Sequence, residues 1–177
     1  VITCGGIQSN HCRAVASLCA TAGIECYLVL KGSQPKIPDG NLFISVLSGA
    51  RTKYVTVNEY EQNINGIMSS LSKSLKKKGH RPYIIPEGGT DILGIWGYIK
   101  AIEETKKQLD RAKIKIDAIV TAVGSGGTYA GLYLGCKLLK WDIDVIGYAV
   151  CRDNLYFQKK IFDICTGFEV ENGINLE

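Results

Sequence analysis

The sequence lacks the patterns that would assign it to a membrane or to a nucleic-acid partner. No apolar run reaches the roughly 20 residues that a helix needs to cross a bilayer. The net charge is only +4 at pH 7, and basic runs such as 76–78 lie in helix-like stretches beside acidic residues. Aromatic residues are not interleaved with these runs, as they are on surfaces that bind single strands. We therefore interpret the basic runs as solvated helix faces, and we expect neither a membrane nor a nucleic-acid partner.

The seven cysteines likewise lack the spacing of a metal site. Their number is odd and no pair has the C-x-x-C spacing, so the sequence predicts no metal. Several lie in apolar segments, where a free thiol packs as a small hydrophobic group. This favours a reducing, intracellular compartment, either cytoplasmic or mitochondrial. Because the chain begins with Val1 inside a predicted strand, we expect further residues, and any targeting segment, to precede it.

What the sequence does contain is a regular alternation of strand-like and helix-like segments. The predicted strands are 1–4, 25–30, 53–57, 83–85, 118–123 and 144–150. The predicted helices are 10–22, 41–47, 60–78, 92–109, 129–139 and 155–165. Segment 118–123 is continuously apolar, as in a strand that is buried on both faces. This order predicts an α/β fold with open sheets of parallel strands.

The first of three glycine-marked motifs, G-G-I-Q-S-N-H at 5–11, joins a predicted strand to a predicted helix. Such a turn places backbone N–H groups and short polar side chains at the helix N-terminus, which attracts anions such as a carboxylate or a phosphate. Ser9, Asn10 and His11 are the polar residues at the point where a ligand would arrive. Ser9 or Asn10 could instead simply cap the helix. The full run of two glycines with Gln, Ser, Asn and His favours a binding site.

The second motif, G-S-G-G-T at 124–128, follows the apolar strand directly and leads into a helix. Successive N–H groups of such a loop can surround a phosphate, and the hydroxyls of Ser125 and Thr128 can add hydrogen bonds. No Gly-Lys-Ser/Thr follows, so the loop is not a Walker loop. Tyr129 occupies the last position of G-x-G-x-x-G, so the dinucleotide fingerprint is also broken. The glycines could alternatively serve close helix–strand packing, but the flanking hydroxyls favour a phosphate.

The third motif, P-E-G-G-T-D at 86–91, leads into a predicted helix that carries two further glycines, Gly94 and Gly97. Thr90 or Asp91 is a suitable N-cap for this helix. Glycine in a helix interior costs up to about 1 kcal/mol relative to alanine. The spacing of three places Gly94 and Gly97 near one face, so we expect a neighbouring element to pack closely there rather than a ligand.

Together these motifs resemble the D-cysteine desulfhydrase and 1-aminocyclopropane-1-carboxylate deaminase family of fold-type II pyridoxal-phosphate (PLP) enzymes. The resemblance is carried by G-G-I-Q-S-N-H-C-R-A at 5–14, P-E-G-G-T-D-I-L-G-I-W-G-Y at 86–98 and V-G-S-G-G-T-Y-A-G at 123–131. These runs have the family's order and spacing, and the resemblance covers nearly the whole chain. It is strongest toward the plant-type D-cysteine desulfhydrases.

The resemblance implies an α/β fold of three-layer open sheets in two lobes, incomplete at both ends. Residues 1–90 would form most of the small lobe, and residues 91–177 part of the large, PLP-binding lobe. The full-length protein would be a homodimer that acts on a small amino acid. We also expect residues 9–11 and 124–128 to face one cleft at the carboxyl ends of strands, where open sheets bind ligands.

The resemblance also implies roles for individual residues. Ser9 would touch the substrate and serve as a nucleophile or a proton carrier. Asn10 would bind the ring hydroxyl of the cofactor, and backbone N–H groups from Ser9 to His11 would hold the substrate carboxylate. The residues that would bind the PLP phosphate are Gly124, Ser125, Gly126, Gly127 and Thr128. The lysine that forms the Schiff base in this family lies upstream of the first motif, so we expect this chain alone to lack full activity.

The implied activity is the conversion of D-cysteine to pyruvate, sulfide and ammonia. Three alternatives remain open at this stage. The first is 1-aminocyclopropane-1-carboxylate deamination with the same cofactor and fold, and the second is an inactive module that binds PLP or phosphate. The third is a general nucleotide-binding α/β domain, against which the broken dinucleotide fingerprint counts.

Overall fold

The computed structural model describes residues 1–176, and strands alternate with helices within each of its two units. The chain divides into two compact units, residues 1–88 and the residues from Gly89 onward. The elements of the first unit are β1 (Ile2–Gly6), α1 (Asn10–Thr21), β2 (Tyr27–Lys31), α2 (Gly40–Leu47), β3 (Arg51–Val55) and α3 (Val57–Lys77). Those of the second unit are α4 (Trp96–Ala112), β4 (Ala118–Val123), α5 (Gly127–Leu138), β5 (Asp144–Ala149) and α6 (Asn154–Asn172).

The first unit is built on a parallel sheet in the order β1-β2-β3. Ile2 pairs with Tyr27 on β2, and Tyr27 pairs with Arg51 on β3. On the other edge of β1, Ile2 forms a parallel bridge with Ile84. The chain therefore winds outward from β1 through β2 to β3 and then returns to the opposite side of β1. This reversal makes the carboxyl end of β1 a topological switch point, where open sheets of this kind bind ligands.

Three layers result because side chains alternate across each strand of this sheet. Leu28 and Leu30 of β2 pack in the core formed with α1 and α2, together with Cys12 and Leu42. Val29 points to the other face and packs in a second core with residues of α3. The order helix, sheet, helix agrees with the predicted α/β architecture.

Helix ends in the first unit are set by local sequence. Thr56 caps α3 and forms a reciprocal capping box with Glu59, whose carboxylate accepts from the Thr56 backbone N–H at 2.8 Å. Lys76 and Lys77 occupy the last turn, where cations interact favourably with the helix dipole. Gly79 follows with a positive φ of 85°, which is the usual way for a helix to stop.

In the second unit β4 and β5 pair in parallel, from Ala118 opposite Asp144 to Val123 opposite Ala149. The core of this unit lies among α4, α5 and α6. Its members include Ile95, Ile99, Ala130, Leu134, Ile164 and Phe168. Among the described residues, no helix is both long enough and apolar enough to cross a membrane.

Close packing of α5 on α4 depends on glycines that the sequence reasoning did not select. A Cβ on Gly131 would lie 2.5 Å from the Tyr98 Cβ, and one on Gly135 would lie 2.8 Å from the Ile102 Cβ. Glycine allows the two helices to approach at these points. The predicted role of Gly97 is wrong, because a Cβ there would meet nothing within 4 Å. A Cβ on Gly94 would meet the Gly89 carbonyl, so the close contact at Gly94 is with the turn just before the helix rather than with a neighbouring element.

Three other local predictions need correction. Segment 118–123 is a strand as predicted, but it is not buried on both faces, since Val120 is 62% exposed. Within the described residues only β5 pairs with it. Segment 83–85 contributes one bridge at Ile84 rather than a strand. The fourth helix begins at Trp96 instead of residue 92, because residues 92–95 form a turn in which the N–H groups of residues 96 and 97 bond to carbonyls three positions back.

Candidate functional site

The turn between β1 and α1 places Ser9 at the start of the helix. Ser9 is the N-cap, with extended backbone angles, and its Oγ accepts from the Cys12 backbone N–H at 3.1 Å. A Cβ on Gly5 would lie 2.8 Å from the Ser9 Cβ and Oγ, so glycine is required for the turn to close over β1. The capping role foreseen for Ser9 is therefore present. Capping uses the Ser9 Oγ only as an acceptor, so the O–H remains able to donate to a ligand.

The His11 side chain is attached to the sheet beneath this turn. Its Nε2 lies 2.8 Å from the Thr3 Oγ1, and the Thr3 hydroxyl also donates to the Ile85 carbonyl at 2.9 Å. Since a hydroxyl has one hydrogen, Nε2 must be the donor toward Thr3 when both bonds form. Burial lowers the pKa of His11 below its ordinary value, although the charge of Glu87 opposes this. A neutral imidazole with its proton on Nε2 follows.

Asn10 belongs to a network of amide side chains that joins the turn to the start of α2. Its Oδ1 accepts from the Asn41 Nδ2 at 2.9 Å, and the same Nδ2 donates to the Gln8 carbonyl at 2.9 Å. The Gln8 side chain accepts from the Asn41 backbone N–H and donates to the Asp39 carboxylate. Sequence reasoning missed Asn41 and Asp39. The Asp-Gly-Asn run marks a turn, but no local pattern indicates that it meets residues 8–10.

A second polar group that sequence reasoning missed lies beside β1, where Tyr60 packs in one core with Cys4. The Tyr60 hydroxyl donates to the Glu87 carboxylate at 2.8 Å, which fixes residue 87 to α3. Burial raises the pKa of Tyr60, and burial also raises the pKa of the Cys4 thiol to about 11. Both groups are therefore neutral near pH 7. The negatively charged carboxylate of Glu87 therefore lies beside two neutral groups, the Tyr60 hydroxyl and the Cys4 thiol.

The glycine loop of the second unit leaves the carboxyl end of β4 and opens α5. Gly126 is the N-cap residue with φ of +96°, a conformation that side chains rarely adopt. In the part of the chain that the structure describes, no residue accepts a hydrogen bond from the backbone N–H of Gly126, Gly127 or Thr128. These donors lie at the positive end of a 12-residue helix. The loop can thus bind an anion through its main chain.

Thr90 closes one side of this loop within the second unit. Its hydroxyl donates to the Ser125 Oγ at 2.6 Å, and its side chain is buried. A Cβ on Gly127 would lie 2.9 Å from the Thr90 Oγ1. The third motif therefore contributes a residue that shapes the loop, in addition to a turn before α4.

A phosphate group fits this loop by its chemistry. The unpaired N–H donors at a helix start suit phosphate oxygens. Glycine also allows the positive φ of Gly126 and the close approach of Gly127 to Thr90, which together shape the loop. The predicted residues Gly124, Ser125, Gly126, Gly127 and Thr128 all lie in it. Ser9, Asn10 and His11 lie together at the corresponding turn of the first unit. In each unit the candidate residues follow the carboxyl end of its first strand.

Comparison with known proteins assigns the chain to a family. The sequence profile of the family described as "Pyridoxal-phosphate dependent enzyme" matches residues 1–164. A Thermotoga maritima protein, named provisionally as a 1-aminocyclopropane-1-carboxylate deaminase, is 43% identical over 96% of this chain and 53% of its own length. The mitochondrial bifunctional D-cysteine desulfhydrase/1-aminocyclopropane-1-carboxylate deaminase of Arabidopsis thaliana is 38% identical over 99% of this chain and 45% of its own length.

A solved structure agrees with the sequence relatives. The crystal structure of a homologue of ACC deaminase superimposes with a TM-score of 0.88 at 32% identity, covering 99% of this chain and 52% of that one. The predicted family and the fold-type II α/β fold are thereby confirmed, and the cofactor of the family is pyridoxal phosphate. The chain spans about half the length of the curated relatives it matches.

Proposed function

Since the chain belongs to the pyridoxal-phosphate-dependent enzyme family, we propose that the whole protein is a lyase that converts D-cysteine to pyruvate, sulfide and ammonia. The name of the Arabidopsis relative, which is similar over nearly the whole chain, supports this reaction. The observation that carries the proposal is the loop 124–128, where a positive φ at Gly126 and unpaired N–H groups meet the start of α5. Such a loop suits the phosphate of PLP.

The residues of the two turns have separate tasks in this proposal. Gly124, Ser125, Gly126, Gly127 and Thr128 hold the phosphate through main-chain N–H groups and hydroxyls. Asn10 binds the ring hydroxyl of the cofactor, and backbone N–H groups from Ser9 to His11 hold the substrate carboxylate. The bound cofactor supplies an electron sink for the reacting amino acid. The Ser9 hydroxyl, whose O–H has no acceptor among residues 1–176, carries a proton on the substrate side.

A second candidate reaction is the deamination of 1-aminocyclopropane-1-carboxylate. The names of the Thermotoga and Arabidopsis relatives both include this activity. Both reactions need the same phosphate loop and the same carboxylate site. The substrate side chain is what distinguishes them: a thiol leaves in one case, and a strained three-membered ring opens in the other.

We further propose the organisation and the location of the whole protein. We place residues 1–90 in a small lobe and residues 91–177 in a large cofactor-binding lobe, and we expect a homodimer. An intracellular location, cytoplasmic or mitochondrial, is supported by the free cysteines, five of which are buried. The mitochondrial location stated for the Arabidopsis relative is in keeping with it.

The test uses the purified whole protein with added PLP. We expect an absorbance band of bound cofactor that survives dialysis, and release of pyruvate and sulfide from D-cysteine. Release of 2-oxobutanoate from 1-aminocyclopropane-1-carboxylate, without activity on D-cysteine, would select the second reaction. Bound cofactor with no turnover of either compound would leave an inactive binding module. Borohydride reduction and peptide mapping should place the cofactor on a lysine outside residues 1–177, and a defined adduct within them would contradict the assignment.

A further inference from the structure

We propose that Asn41, outside the glycine-marked turn, is a positioning residue that turns the side-chain amide of Asn10 so that its NH2 group faces the cofactor. The inference rests on the proposed function, because it concerns the ring oxygen that Asn10 is proposed to bind. It adds a residue from α2 to the turn between β1 and α1, where sequence reasoning selected only residues 9–11. Four hydrogen bonds within the first unit support it.

The orientation of the Asn41 amide is fixed by a main-chain group. The Gln8 carbonyl oxygen can only accept a hydrogen bond, so the Asn41 atom that lies 2.9 Å from it must be the NH2 nitrogen. The same nitrogen lies 2.9 Å from the Asn10 side chain and has a second hydrogen to donate. The Asn10 atom on that side must therefore be its carbonyl oxygen. A reversed Asn10 amide would place two NH2 groups against each other.

The consequence is that the Asn10 NH2 group points away from Asn41. The Asn10 side chain is exposed, and no residue between 1 and 176 accepts a hydrogen bond from its Nδ2. Asn10 thus presents a donor rather than an acceptor to an incoming group. A donor favours the deprotonated, negatively charged form of a ring hydroxyl, since hydrogen bonds to charged oxygens are the stronger kind.

Asn41 is itself held before any ligand arrives. The Gln8 Oε1 accepts from the Asn41 backbone N–H at 2.8 Å, and the Gln8 Nε2 donates to the Asp39 Oδ1 at 2.7 Å. Between them Gly40 has φ of +49°, and a Cβ there would lie 2.7 Å from the Gln8 Oε1. The turn at 39–41 is therefore closed tightly around the Gln8 side chain, which keeps the donor in register with Asn10.

The experiment measures PLP affinity and the pH dependence of the bound-cofactor absorbance in the whole protein. Asn41→Leu is nearly isosteric and removes the donor, so the Asn10 amide can turn either way. Asn41→Asp presents only acceptors and imposes the reverse orientation. We expect the PLP dissociation constant to rise several-fold in Asn41→Leu and about tenfold or more in Asn41→Asp. The pH at the midpoint of the absorbance change should also rise, by less in Asn41→Leu and by more in Asn41→Asp.

A mutant cycle separates positioning from a general structural role. Asn10→Asp keeps an acceptor for the Asn41 NH2 group but has no donor for the cofactor, so it should fold and bind PLP weakly. In that background Asn41→Leu should change PLP affinity by less than twofold, because no amide remains to be oriented. Asn58→Asp on α3, whose side chain accepts a hydrogen bond from the Gln62 side chain, is the matched control and should leave affinity and absorbance unchanged.

The outcomes distinguish this inference from the proposed function. A wild-type protein that binds no PLP overturns both. Wild-type binding together with additive effects of Asn41→Leu and Asn10→Asp overturns the positioning role alone. An Asn41→Asp effect that disappears in high salt also overturns it, because screening removes simple charge repulsion but not the reversal of an amide.

Discussion

Replacement of Gly126 by alanine tests whether the loop before α5 holds the cofactor phosphate. At φ of +96° the backbone of Gly126 is unfavourable for any residue with a Cβ, at a cost of about 1–2 kcal/mol. Packing adds little, since the new Cβ would lie 3.4 Å from the Ile161 Cγ1, an ordinary contact. The free energy of unfolding should therefore fall by about 1–2 kcal/mol unless the loop relaxes to negative φ.

Relaxation of the loop would turn the N–H groups of Gly126 and Gly127 away from their present direction. Each lost bond to a charged phosphate oxygen is worth about 1.5–3 kcal/mol, so PLP affinity should fall by roughly tenfold to a hundredfold. Urea unfolding and titration of cofactor absorbance in the whole protein measure the two effects. Gly97→Ala is the control, because a Cβ there meets nothing within 4 Å and a helical alanine should stabilise by up to about 1 kcal/mol. Wild-type stability and wild-type affinity in Gly126→Ala together would refute the assignment of this loop.

Three further changes should be informative. Ser9→Ala should lower the free energy of unfolding by about 1 kcal/mol through loss of the cap and should also lower turnover. Ser9→Asn should restore the stability but not the turnover, and full turnover in Ser9→Ala would leave Ser9 as a cap only. Gly135→Ala should cost about 1–3 kcal/mol by forcing α5 away from Ile102, and unchanged urea unfolding would contradict the packing argument. His11 should titrate below its ordinary pKa, and an NMR titration midpoint above about 6.5 would contradict this. The contribution of neutral His11 to stability is therefore present above about pH 6.5 and is lost as the pH falls through the folded-state pKa.

The sequence alone determined the family, the α/β fold class and the order of the elements, except for the strand predicted at 83–85. Local signals sufficed for α1, which begins where Ser9 caps it and ends before Gly23, and for the apolar strand 118–123. They sufficed because caps, glycine stops and hydrophobic periodicity act between residues close in the chain. The three glycine-marked motifs identified the candidate residues of both turns for the same reason, since each motif is a continuous run.

Only the tertiary structure decided which distant groups meet. The hydrogen bonds from Asn41 to residues 8 and 10 span more than 30 positions, and Thr3 contacts the Ile85 carbonyl 82 positions away. The glycines that allow α5 to approach α4 are Gly131 and Gly135. Local sequence did not identify them, because the relative placement of α4 and α5 depends on the whole core of their unit. Partners of this kind are chosen by packing and by the winding of the sheet, and neither leaves a signal in the residues beside them.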